Sequence, residues 1–160
     1  MINFQKIAVT TSCLVLLASG TAYAQAEWLK GSPEEKLNTL AELQPGLGTV
    51  MIEYSSRFTN MYYAAHGGNW KLADYNRQEM TEIQEVGETT RPARAKPLKD
   101  FEEKHLVAIG NAIKGQDIKQ FDVAFNDAMK GCNECHTDQK FGFIRYELPK
   151  SPLSPLSMKP

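Results

Sequence analysis

Apolar residues recur at three- and four-residue intervals along most of this chain, and no segment keeps the two-residue alternation of a strand. A short helical pattern runs from Pro33 to Leu43, with Ser32 placed to cap it and Pro33 suited to a first turn. Pro45-Gly46 then breaks the chain. Four longer patterns follow. The first spans about Leu47 to Ala65, with Met51, Tyr54, Phe58, Met61, Tyr62 and Ala65 on one stripe. His66-Gly67-Gly68 stops it. The second opens at Asn69, a natural N-cap, and reaches about Glu88 through Leu72, Ala73, Asn76, Met80, Ile83 and Val86. The third spans about Leu98 to Lys114, burying Phe101, Leu106, Ile109 and Ile113. The fourth, about Asp117 to Thr137, continues Ile118, Phe121, Phe125 and Ala128 straight into Cys132 and Cys135.

One apolar stripe per helix and short connections predict an all-α fold, an antiparallel up-down-up-down four-helix bundle. The chain divides into residues 1–24, a lead-in over 25–46, the four-helix domain over 47–139, and a Pro-rich tail over 140–160. The tail has four prolines from Phe141 onward, and the sequence leaves open whether it folds back or stays disordered.

The opening segment changes the compartment. Lys6 is its only charge, Ile7 to Leu17 are mostly apolar, and Ala22-Tyr23-Ala24 is a small-x-small cleavage site. These mark a secretory leader, too short and too rich in Thr, Ser and Gly for a comfortable membrane span. Removing 24 of the 160 residues leaves 136, and losing Lys6 alone takes the net charge from −1 to −2. That balance carries no nucleic-acid footprint. A periplasmic protein with no membrane span in its mature chain is expected.

Cys13 leaves with the leader, so the remaining cysteines are both in Cys132-Asn133-Glu134-Cys135-His136. C-x-x-C-H is the attachment pattern of c-type haem: two thiols on one helical turn each form a thioether, and the adjoining imidazole ligates the iron. A structural zinc site would need a second Cys/His cluster, and a thioredoxin-like pair would need βαβ context; neither is present in the sequence. One covalent haem c is therefore expected on Cys132 and Cys135, with His136 as proximal ligand. The cysteines continue the apolar stripe, so the haem would be driven into the bundle core.

In an antiparallel bundle the residue opposite His136 comes from the first half of the first helix, the end of the second or the start of the third. Met51 and Met61 are candidate sixth ligands, with core packing as the alternative for each. His105, at the stripe edge of the third helix, is a further candidate, with a partly exposed histidine as its alternative. Phe58 cannot bind iron and would wall the distal pocket. His66 lies in the turn at the far end, roughly 25 Å from the haem level at 1.5 Å per residue. Arg57 is a candidate for a haem propionate or else a solvated charge. Arg91, Arg94 and Lys96 sit in the loop at the haem end and suit propionates or an acidic partner.

A C-x-x-C-H near the end of the last helix of an exported four-helix bundle resembles cytochrome c-prime and its relatives, over about Leu47 to Gln139. The resemblance implies haem on Cys132 and Cys135, His136 as proximal ligand, and a homodimer. It also matches Arg57 followed by Met61 to an arginine one turn before the distal residue. Met-ligated relatives are electron carriers, and those with a free distal face bind NO or CO. Asn69-Trp70, Leu72-Ala73 and Tyr75 are similar to a second group of bacterial helical c-type cytochromes. Where that group has an Arg-His pair this chain has Arg57-Phe58, which puts a His-His iron in doubt. The expected function is single-electron transfer with an unidentified redox partner protein, and no enzymatic turnover. The alternative is a five-coordinate protein binding NO or CO.

Overall fold

The computed structural model describes residues 28–152 and 154–160, and over these the protein is all-helical, without strands. The leader expected over residues 1–24 lies outside the described residues. The chain divides into two compact units, one ending at Glu42 and the other spanning Leu43–Pro160.

The described part of the first unit is built on α1, Pro33–Glu42. A capping box opens it: the Ser32 amide donates to the Glu35 carboxylate at 2.7 Å, and the Glu35 amide donates to Ser32 Oγ at 3.2 Å.

The second unit begins with α2, Leu47–His66, and α3, Trp70–Thr90. Asn69 caps α3 by accepting the Leu72 amide at 3.1 Å. A 3-10 turn at Pro92–Arg94 leads into α4, Ala95–Phe101, which begins three residues before the expected Leu98. A π turn, Glu102–Leu106, joins α4 without a break to α5, Val107–Gly115. Gln116 then takes the left-handed conformation (φ 50°), and Asp117 caps α6, Ile118–Asp138, through the amides of Lys119 and Gln120.

α2 packs chiefly on α3, and α5 on α6. Phe58, Met61, Met80, Ile109, Phe121 and Phe125 form the centre of the core, each at most 1% exposed. The second helix departs from its expected stripe. Val86 is exposed, and Gln84 and Glu88 turn inward instead. Polar groups at buried positions need partners, and Gln84 finds them in Glu88, Leu98 and Glu102.

Residues 140–160 belong to this same unit and pack along it. The Tyr63 hydroxyl donates to the Pro149 carbonyl, and Asn69 Nδ2 donates to the Lys159 carbonyl at 3.4 Å. The Met158 carbonyl lies where a side chain on Gly67 would begin, 2.0 Å from an ideal Cβ. The tail folds back. No helix among the described residues is long and apolar enough to cross a membrane.

Candidate functional site

The site grows from the way α6 ends. Lys140 takes a left-handed conformation (φ 70°), its amide donates to Thr137, and the Phe141 amide donates to the His136 carbonyl at 2.7 Å. This Schellman arrangement closes the last turn and reverses the chain. The reversal brings the Ile144 carbonyl to His136 Nδ1, at 2.9 Å. Asn133, inside the C-x-x-C-H segment, holds Tyr146 from both sides: its Oδ1 accepts the Tyr146 amide at 2.8 Å and its Nδ2 donates to the Tyr146 carbonyl at 3.1 Å. The Tyr146 hydroxyl meets Thr59 Oγ1 at 2.9 Å.

Between this clasp and the facing helices lies a cavity of about 460 Å³. Cys132, Cys135 and His136 line it from α6, and Met51, Tyr54 and Phe58 from α2. Gln84 of α3 and Leu98 and Phe101 of α4 close another side, and Phe141, Ile144 and Tyr146 of the tail a further one. A largely apolar hollow of this size suits a prosthetic group or small ligand. Arg94 and Arg145 are the cationic side chains in the lining. Arg94 donates to Gln139 Oε1 and lies over the Phe141 ring, 5.7 Å from its centroid.

Burial pushes the Cys132 thiol up to about 12, with Cys135 adding to the effect. Burial also raises Cys135, and Asp138 acts in the same direction. A disulfide-exchange cysteine needs a lowered pKa, and here both are raised. Burial holds the Tyr54 phenol well above its usual value near 10, with Cys132, Glu102 and Cys135 reinforcing the shift. Its hydroxyl has no hydrogen-bond partner although the residue is only 6% exposed.

The residues singled out from the sequence separate into two groups. Cys132, Cys135, His136, Met51 and Phe58 come together around the cavity. Phe58 stacks on Phe125 at 4.2 Å and touches Tyr146 at 5.1 Å, so it is both wall and core. Arg57, Met61 and His105 are not in the lining. Arg57 instead pairs with Glu53 at 3.4 Å and Glu79 at 3.3 Å and lies over Tyr75, which accounts for its charge on the helix surface. Met61 is fully buried in the core, two turns beyond Tyr54. His105 is buried, at 5% exposed, rather than partly exposed. The π turn carries it against α6, with Nδ1 3.0 Å from Asp127 and Nε2 2.4 Å from where a Gly131 Cβ would stand. Burial lowers its pKa, opposed by Asp127. His66 pairs with Asp122 at 2.8 Å, near the opposite end of α6 from His136.

Four participants escape a reading by apolar stripe. Asn133 is a free position of the C-x-x-C-H pattern, and its role depends on where the tail returns. Tyr146 and Ile144 lie in a segment with no helical period. Gln84 falls four residues after Met80 on the buried face, a spacing that marks it once a polar residue is allowed there.

No family model, curated protein or solved structure matches this chain. Among the described residues no three His, Cys, Asp or Glu side chains gather as a metal-holding group.

Proposed function

We propose that this protein is a periplasmic monohaem c-type cytochrome that transfers single electrons. The observation that carries the reading is the placing of Cys132, Cys135 and His136 on one wall of an apolar cavity, with His136 Nδ1 bound to a backbone carbonyl. A carbonyl only accepts, so Nδ1 carries the proton and Nε2 keeps its lone pair for a metal. The raised thiols keep their protons, as S–H addition across two vinyl groups requires, with no leaving group.

Haem, when bound, supplies reversible Fe(III)/Fe(II) chemistry. The chain does the rest. Cys132 and Cys135 tether it, His136 ligates it, and Phe58, Phe101 and Tyr146 exclude water around it. Arg94 and Arg145 suit its carboxylates, a role for which Arg57 is already engaged by Glu53 and Glu79. Met51 is the thioether in the lining and the candidate sixth ligand. The helices would run up-down-up-down: His66 meets Asp122 near the start of α6, and Met51 shares a cavity with His136 near its end. Export rests on the leader over residues 1–24.

A second reading follows from Phe58, which cannot ligate iron and stands in the same lining. If Met51 packs rather than binds, the distal face is open to NO or CO. The optical spectrum of the dithionite-reduced protein, before and after CO, decides. A sharp low-spin α band unmoved by CO supports the electron carrier. A broad high-spin spectrum that shifts with CO replaces it with the gas-binding reading.

A further inference from the structure

Behind the cavity wall lies a second hollow of about 400 Å³, lined by Glu85, Glu88 and Thr89 of α3 and by Lys99, Glu102 and Glu103 of the facing helix. Four carboxylates share it with one ammonium, Lys99, which reaches Glu88 at 3.7 Å. Gln84 stands between the two spaces. It lines the haem-sized cavity, yet its Nε2 donates to Glu102 Oε2 at 3.0 Å, to Glu88 Oε1 at 3.0 Å and to the Leu98 carbonyl at 3.1 Å. Its own Oε1 is buried without a partner in a residue that is 0% exposed. The unpartnered Tyr54 hydroxyl lies on the same cavity and feels the Glu102 charge.

We propose that Glu102 is a proton-binding site coupled to the redox centre through Gln84, so that one-electron reduction is accompanied by proton uptake from solvent. This rests on the haem reading above. The geometry supplies both requirements. Glu85 and Glu103 are exposed and open the hollow to water, while Gln84 joins Glu102 to the cavity wall by a single amide. An amide has two hydrogens, and Gln84 faces three acceptors with them. Protonating one carboxylate relieves that competition. Glu102 is already lifted by burial, with Glu88 and Glu85 of α3 and Glu103 of its own turn adding to the lift and Arg77 of α3 opposing it. α6 meets the same turn through His105, which faces Asp127. An added electron in the cavity favours the protonated carboxyl further, because it places one more negative charge nearby.

The step balances simply. A one-electron donor protein reduces Fe(III) to Fe(II), and one solvent proton bonds to a Glu102 carboxylate oxygen. The midpoint potential then falls as pH rises, approaching about 59 mV per pH unit for one proton per electron. The slope is confined to the interval between the Glu102 pKa of the oxidised and of the reduced protein, above the ordinary carboxylate range.

The test is redox potentiometry of the holoprotein across pH, in the wild type and in Glu102→Gln, which keeps an acceptor for Gln84. A slope in the wild type that Glu102→Gln removes supports the proposal. A flat wild-type potential, or a slope unchanged by the substitution, overturns it. If the variant does not fold, the reduced-minus-oxidised infrared difference spectrum of the wild type replaces it. A protonated-carboxyl band appearing on reduction and shifting in D₂O supports the site, and its absence refutes it. A purified chain without covalent haem defeats the underlying reading instead, and that outcome is recognised before any potential is measured.

Discussion

His136 and Ile144 are joined by a 2.9 Å hydrogen bond from the ring Nδ1 to the backbone carbonyl. The bond fixes the tautomer and the ring plane, and it depends on a tail segment eight residues downstream. Asn133 holds that segment through Tyr146. The geometry at His136 is therefore assembled jointly by α6 and the tail.

Asn133→Ala removes both hydrogen bonds to Tyr146. Each is worth about 0.5–1.5 kcal/mol, so a loss of about 1–3 kcal/mol is expected in urea unfolding. The tail should also become more susceptible to protease near residues 141–146. Unchanged unfolding and unchanged proteolysis would show that the clasp contributes nothing.

Gly131→Ala places a methyl 2.4 Å from His105 Nε2. Overpacking at such a site costs about 1–3 kcal/mol. Combining it with His105→Ala makes room, so the double variant should lose less than the sum of the two single losses. Additive losses would contradict the contact.

This pair also shows how the sequence and the folded chain relate. The helices, their caps at Asn69 and Asp117, and the C-x-x-C-H segment are all local patterns. Apolar spacing places Phe58 and Met51 on the inward stripe, and both reach the cavity. His105 could not be placed in this way, because the π turn at Glu102–Leu106 shifts the register of the third helix. Arg57 matches a family spacing, but its charge is taken by Glu53 and Glu79. The Glu79 contact is inter-helical, so spacing along α2 does not reveal it. The tail has no period at all. Its course is set by Lys140 at φ 70° and by contacts as distant in sequence as Tyr63 to Pro149.

Tyr146 gives a pH dependence of defined sign. Burial pushes its phenol up to about 12 from an ordinary 10.0, against the opposing hydrogen bond from Thr59. The folded state holds the proton more tightly than the unfolded chain. Its contribution is complete below pH 10 and is lost as pH rises toward about 12. Unfolding midpoints should fall over that interval, and less steeply in Tyr146→Phe. An equal fall in both proteins would assign the loss to other groups.

Met51 and Met61 should behave differently when replaced by Leu. Met61→Leu is a core exchange of similar volume, expected to cost under about 1.5 kcal/mol and to leave the reduced optical spectrum unchanged. Met51→Leu removes the thioether from the cavity lining and should convert a CO-silent ferrous protein into a CO-binding one. A spectral change in Met61→Leu alone would exchange their roles.

Covalent attachment is the centre of the account, and acid-acetone extraction of the exported, purified protein tests it most directly. The account predicts that the haem stays with the polypeptide and is released only when both Cys132 and Cys135 are replaced by Ala. Haem leaving the intact wild-type chain, or no haem at all with both thiols free, would contradict it.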